Sequence, residues 1–304
     1  MKYLVIVNPT SRRGKAAEQI PQIERKLDEY VLDFDLVRTQ KVGHAIQLAS
    51  QAATSGYDVV IAAGGDGTIN EVVNGLMLAR KTTENQPTLG IISIGTGNDF
   101  IFGLAQKQGV TPACALIAEN KRRRIDIGHI IADEAPDGRY FANGLGIGFD
   151  AAGGVLAEKI IWPRGFLSYL IAALQNIFLY YSAPTLKMNI DEEVIEMPSL
   201  LVSVMNGRRV AGGFQTAPNA HVDDGLFDIC IAEEVSRPRM LTLLPLFLKG
   251  TQINEPEIQM KQAKKLSINA LQGSMPIHTD GEVICQQSKV ATIEIFPDAL
   301  EIIG

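Results

Sequence analysis

Along the first 128 residues, short apolar runs alternate with apolar positions at helical spacing. Residues 4–7 form a run rich in β-branched side chains that stops at Asn8-Pro9. Ala16, Ile20, Ile23, Leu27 and Tyr30 then recur at intervals of four, three, four and three, which is one face of a helix. Pro21 lies inside that stretch and predicts a kink or a restart, because its ring cannot sit in a helix interior. Strands at 34–38, 59–63 and 89–94 and helices at 45–53 and 69–79 continue the series. Such βαβα alternation implies a parallel sheet with right-handed crossovers.

Beyond about residue 139 the pattern changes. Apolar runs at 140–146, 186–190, 199–205, 226–232, 266–269, 276–284 and 291–296 are short and separated by Gly, Asn and Asp, which predicts antiparallel sheet. Helical stretches at 165–181 and 237–249 interrupt it. No repeat or low-complexity linker marks the boundary, so a first domain over 1–128 and a second over 129–297 are separated by pattern alone. The apolar run after Pro297 makes 298–304 a candidate to rejoin the first domain.

Composition narrows the class. At 304 residues, 46% hydrophobic and 20% charged, the chain is that of a folded two-domain protein. A formal net charge of -6 supplies no general field for nucleic acid. Cys114, Cys230 and Cys285 are odd in number and widely spaced, which suits a reducing compartment and excludes a disulfide framework. The apolar run after Met1-Lys2 is too short for a signal peptide and reads as a strand.

In a parallel sheet the carboxyl ends of the strands share one edge, where ligands bind. The loops expected there are Asn8-Pro9-Thr10-Ser11, Thr39, Gly64-Gly65-Asp66-Gly67-Thr68 and Gly95-Thr96-Gly97-Asn98-Asp99. Glycine lets backbone amides approach a phosphate, and Asp66 and Asp99 make sense there with magnesium between them and the phosphates. The plainer reading is turn chemistry, with Thr68 and Glu71 as a capping box. Four such loops on one edge favour a nucleotide-phosphate site. Gly14-Lys15 is followed by Ala16, so no P-loop is present, and Gly146, Gly148 and Ala151 match GxGxxA only by chance in the strand-rich half.

From Gly64-Gly65-Asp66-Gly67-Thr68 with Asn70-Glu71-Val72, the chain resembles the diacylglycerol-kinase catalytic family, in its bacterial soluble lipid-kinase branch. The resemblance runs on through Gly95-Thr96-Gly97-Asn98-Asp99-Phe100, Ile125-Asp126-Ile127-Gly128, Gly146-Ile147-Gly148-Phe149-Asp150-Ala151 and Gly212-Gly213-Phe214, and then through Asp223-Asp224-Gly225-Leu226 and Asp280-Gly281-Glu282. It implies an α/β nucleotide-binding domain followed by an antiparallel β-sandwich, with ATP and lipid meeting between them. ATP contacts would fall on Asn8, Pro9, Thr10, Ser11, Arg12, Thr39, Gly65, Asp66, Gly67, Thr68, Ile69, Asn70, Glu71 and Thr96. Asp66, Asp99 and Asp126 would surround the nucleotide's Mg2+, and a second, structural Mg2+ would be held by Asp224 and the backbone oxygens of His221 and Leu226. Glu282 would be the general base, with Asp280 beside it.

The implied activity is ATP- and magnesium-dependent phosphorylation of a lipid hydroxyl, with diacylglycerol the leading acceptor. The implied place is cytoplasmic, with peripheral contact at the inner face of the membrane. Three positions depart from the family pattern: Arg12 and Arg13 replace glycine, Ser93 replaces proline, and Phe102 replaces an arginine. The turns at Asp223-Asp224-Gly225 and Asp280-Gly281 also read as ordinary hairpins, Asp-Gly being a favoured turn pair. Lys121-Arg122-Arg123-Arg124 reads as a solvated approach to the next strand before it reads as a lipid-headgroup patch. The aromatic stretch 160–181, with Trp162, Phe166, Tyr169, Phe178, Tyr180 and Tyr181, either packs between the domains or meets the membrane interface. A rival reading is an NAD kinase, which shares GGDGT but not the Gly95–Phe100 motif; another is a non-catalytic, nucleotide-regulated lipid-binding protein, against which the intact carboxylates weigh.

Overall fold

A computed structural model describes residues 1–12, 14–151, 166–179 and 182–304. Arg13, Trp162, Pro163, Arg164, Tyr180 and Tyr181 lie outside the described residues, as do the side chains of Phe166 and Tyr169. Two compact units account for the chain, Met1–Ile125 with Asp298–Gly304, and Asp126–Pro297.

In the first unit β1 (Lys2–Val7), β2 (Asp33–Arg38), β3 (Val59–Gly64) and β4 (Thr88–Ser93) form a parallel sheet in the order β4-β3-β1-β2. The end of the chain adds to it, Ile302 pairing in parallel with Leu89. Val7 stands opposite Arg38 and Ala63, and Gly64 opposite Ser93, so the four carboxyl ends are level. One face of the sheet is covered by α1 (Ile20–Glu29) and α5 (Val110–Glu119), through Ile20, Ile23, Leu27, Ala113, Cys114 and Ile117. Pro21 occupies the first turn of α1, after a separate 3-10 turn at Ala17–Gln19, so the helix restarts there. Between these lie α2 (His44–Thr54), α3 (Asp66–Ala79) and the short α4 (Asp99–Gly103). α2 and α3 touch backbone to backbone: a Cβ on Gly75 would lie 2.4 Å from the Ile46 carbonyl oxygen.

The basic run is engaged within its own unit. Arg122 donates to Glu301 at 3.0 Å and to Thr88 at 2.9 Å, Arg123 to the Leu104 carbonyl, and Arg124 to the Asp298 carbonyl. The guanidinium groups thus fasten the returning C-terminal segment and α4. Lys121, Arg122 and Arg124 nevertheless remain exposed, so the run is a solvated approach to the strand as well as an anchor for that segment.

The second unit is two antiparallel sheets. One contains β5 (Arg122–Ala132), β6 (Ala135–Phe141), β8 (Thr185–Ile190), β12 (Lys265–Gln272) and β15 (Val290–Ile303). The other runs β14 (Glu282–Ser288), β13 (Met275–Thr279), β7 (Gly144–Gly148), β9 (Glu193–Met205), β10 (Phe227–Glu233) and β11 (Ile258–Ala263). The first half of β9 pairs with β8, its second half with β7 and β10. Ile130, Phe141, Leu145, Ile147, Val202, Val204, Phe227, Ile229, Leu266, Ile268 and Ile277 fill the space between the sheets, with Phe141 stacked on Phe227 at 5.6 Å. The outer face of the second sheet is covered by α6 (Phe166–Leu179) and α7 (Arg237–Lys249), through Ile177 and Met240 against Cys230 and Leu201. Among the described residues, no helix is long and apolar enough to cross a membrane.

Candidate active site

Four short loops follow β1 to β4 on the level edge of the first unit. Asn8 organises its own loop: its side-chain oxygen accepts from the Thr10 amide at 3.1 Å and hydroxyl at 2.7 Å, while its amide nitrogen donates to the Thr68 hydroxyl at 3.0 Å. Thr39 continues from β2 and donates its amide to the Val7 carbonyl at 2.8 Å. The Gly65 and Gly95 backbones touch, since a Cβ built on Gly95 would lie 2.4 Å from the Gly65 Cα. No larger residue fits at Gly95 without parting the loops. Gly65 caps α3 with no side-chain hydrogen bond, and its carbonyl accepts from the Ile69 amide at 3.1 Å. The amides of the first turn therefore face the loop edge rather than a helical carbonyl. Thr10, Arg12 and Thr96 are exposed, and Pro9, Ser11, Gly65 and Gly67 half-buried.

Asp66 and Asp99 converge on Gly97: a Cβ there would be 2.9 Å from Asp66 Oδ2 and 3.5 Å from Asp99 Oδ2. Asp66 also holds the second loop, accepting from the Asn98 amide at 2.7 Å and the Phe100 amide at 3.3 Å. Ile69, Asn70 and Glu71 are buried. Glu71 accepts from the Gly43 and Ala45 amides at 2.8 and 3.0 Å, which caps α2. The capping-box expectation is therefore corrected: Thr68 lies inside α3, the cap is Gly65, and Glu71 serves a neighbouring helix.

Asp126 belongs to the second unit. Its Oδ2 accepts from the Gly225 amide at 2.7 Å and its own amide donates to the Val222 carbonyl at 2.7 Å, so it fixes the turn between them. On that turn Asp224 is exposed and accepts from the Leu226 amide at 3.1 Å; His221 is exposed and Leu226 half-buried. Asp228, four residues on, is buried, and its Oδ2 has no hydrogen-bond partner. Burial, with the Asp224 charge adding to it, pushes the Asp228 carboxyl above its ordinary value. Asp224 and backbone oxygens on this turn are donors of the kind a hard cation such as magnesium takes, but among the described residues no group of three or more His, Cys, Asp and Glu is placed to hold a metal ion.

The Asp280-Gly281 turn joins β13 to β14, with φ of 47° and 87°, the left-handed pair of a two-residue hairpin. Asp280 is a clamp: Oδ1 accepts from the Asn143 and Gly144 amides at 3.0 and 2.9 Å, and Oδ2 from the Ala142 amide at 3.0 Å. Those amides lie at the break that splits the expected 140–146 run into β6 and β7. Glu282, with its side chain 36% exposed, pairs with Arg139 at 2.7 Å. Arg139 was not among the sequence candidates. Neither were His278 and Asp150, which meet at 3.2 Å beneath this turn. Burial opposes protonation of His278, but the adjacent Asp150 charge and hydrogen bond, with Asp280 further off, outweigh it and hold the imidazole above its ordinary value.

Amides gathered at the start of a helix suit phosphate oxygens. A part-exposed carboxylate on a hairpin is, separately, a group suited to accept a hydroxyl proton. Residues 2–130 match the diacylglycerol kinase catalytic domain, and residues 144–304 the YegS C-terminal NAD kinase beta sandwich-like domain. A diacylglycerol kinase of Staphylococcus saprophyticus is 32% identical over 91% of this chain and 88% of its own. A crystal structure of a diacylglycerol kinase from Bacillus anthracis, 27% identical, aligns with a TM-score of 0.78 over 99% of this chain and 96% of that one. An NAD kinase from Archaeoglobus fulgidus, solved with ATP, aligns with a TM-score of 0.55 over 100% of this chain and 94% of its own; at 12% identity that is a likeness of fold. The chain belongs to the diacylglycerol kinase family and is a lipid kinase.

Proposed function

We propose that the protein transfers the γ-phosphoryl group of ATP to the free hydroxyl of diacylglycerol, yielding phosphatidic acid at the inner face of the membrane. The observation that carries this reading is the level row of loops in which Gly65 and Gly95 touch while Asp66 and Asp99 converge on Gly97. The nucleotide's phosphates would lie along the amides of 65–68 and the Asn8–Arg12 loop, with Thr39 and Thr96 at the rim. Asp66 and Asp99 would hold magnesium, which would neutralise charge developing on the transferring phosphoryl group. Asp126 enters this reading through the turn it fixes, and Asp224 with the His221 and Leu226 carbonyls would hold a structural magnesium there.

Glu282 is the proposed base and Asp280 its support. Both Asp280 oxygens accept backbone amides, whereas Glu282 is steadied by one arginine and reaches solvent. Glu282 would take the hydroxyl proton as the oxygen attacks phosphorus. Labelled ATP offered with micelles of diacylglycerol, monoacylglycerol, sphingosine or a polyprenol, and separately with NAD, tests the reading. Diacylglycerol is expected to be labelled fastest. Labelling of NAD alone, or of no lipid, overturns it.

A further inference from the structure

We propose that His278, oriented by Asp150, is a positioning residue that sets the Asp280-Gly281 turn and so places Glu282. The inference rests on the reading of Glu282 as base. It starts from the strand register: His278 stands opposite Gly146, Gly146 opposite Ser203, and Ser203 opposite Cys230. Their neighbours Ile277, Ile147, Val202 and Ile229 point into the core between the sheets, so alternation puts this row on the outer face.

Asp150 is brought onto the row from beyond the end of β7. The positive φ of Gly148 turns the chain back, and Gly146 leaves the room: a Cβ there would lie 2.3 Å from His278 Nε2 and 2.4 Å from Asp150 Oδ2. Asp150 Oδ2 accepts from His278 at 3.2 Å and from the Ser203 hydroxyl at 3.3 Å. Burial, reinforced by the Asp150 charge, pushes the Cys230 thiol up to about 12, so Cys230 is a filler of the row.

A satisfied core histidine would end its contacts there. His278, 4% exposed, does not: its Nδ1 accepts from the Gly281 amide at 3.3 Å. The neutral imidazole with its proton on Nε2, the tautomer Asp150 selects, satisfies both partners; protonation, which the Asp150 charge favours, would set a second N–H against the Gly281 amide. Gly281 is the residue between Asp280 and Glu282. Asp280 pins the turn from one side through three amides, and His278 pins it through the fourth. Glu282 opens β14 directly after it, in register with Thr279.

Two substitutions separate the contacts. The side-chain oxygen of His278→Asn can stand where Nδ1 stands and accept from Gly281, but the residue falls short of Asp150. His278→Gln reaches Asp150 and offers Gly281 nothing. Turnover of diacylglycerol in micelles, the KM for ATP and the melting temperature are measured for both, for Asp150→Asn, and for Glu282→Gln as reference. His278→Gln should lose about a hundredfold in kcat, the scale of a small misplacement of a reacting group, with the KM for ATP unchanged. His278→Asn should recover most of that loss. Asp150→Asn should lower kcat in the native background and add nothing to His278→Asn. Equal losses in both His278 variants that follow their melting temperatures overturn the inference, leaving a structural pair. Normal turnover in both beside an inactive Glu282→Gln overturns it alone. Normal turnover in Glu282→Gln removes the base itself, and the inference with it.

Discussion

Asp280 and Glu282 are two residues apart, and their substitution should fail in different ways. In Asp280→Asn, the favourable orientation keeps oxygen toward Asn143 and Gly144 and turns the new amide nitrogen toward the Ala142 N–H. One charge-assisted hydrogen bond is lost, two are weakened, and a donor faces a donor. At about 1.5–3 kcal/mol for a hydrogen bond to a charged group, the total is about 2–4 kcal/mol. For a unit of this size that lowers Tm by about 5–15 °C. Glu282→Gln weakens the part-exposed pair with Arg139, worth about 1 kcal/mol or less, so Tm should move little. Its kcat should fall by about a hundred- to ten-thousandfold, the range for removing a general base. Circular-dichroism melts and initial rates at saturating ATP and diacylglycerol read both effects. A stable Asp280→Asn with the large kcat loss, beside a Glu282→Gln of normal turnover, would show that the roles are reversed.

Gly95→Ala should weaken ATP binding at least tenfold by calorimetry, because its methyl group would force the Gly65 loop away; unchanged affinity would place the phosphates elsewhere. Asp224→Ala should abolish the rise in Tm that magnesium alone gives the native protein, and an equal rise in both would move the cation from this turn. Asp228→Asn should raise Tm by a few degrees at pH 7 without divalent cations. The sign follows from the raised carboxyl: the folded state binds this proton more tightly than the unfolded, so the burial penalty is complete above the raised value. It shrinks as pH falls through that value and vanishes below the ordinary carboxylate range. A gain that persists at pH 3 would point to another cause.

The parallel half was legible because strands covered on both faces become uninterrupted apolar runs, as at Val59–Gly64, which is buried throughout. α4 was missed because five residues are too few for a helical period. α5 was missed because Pro112 in its first turn looks like a break. β11 was missed because its buried Ile258 and Ala263 enclose Gln, Met and Lys. The lipid-kinase class was legible from ordered motifs, since each loop is local in sequence. Pairings across the chain were not. Asp280 meets amides 136 to 138 residues away, and Glu71 caps a helix that precedes it by 26. The GxGxxA match shows the limit most clearly: Gly146 is small because Asp150 and His278 meet over it, and no spacing rule contains that.

β9 lies in both sheets of the second unit, 13 residues long, with its partner changing midway from β8 to β7 and β10. Peeling away either sheet therefore strips hydrogen bonds from a strand the other sheet still needs. Partial opening gains little chain entropy for what it breaks, and the two layers are bound to lose structure together. Amide protons on β9 would then exchange only when the whole unit opens, and Ser203, near its C-terminal end and under Asp150, would be among the last to be released.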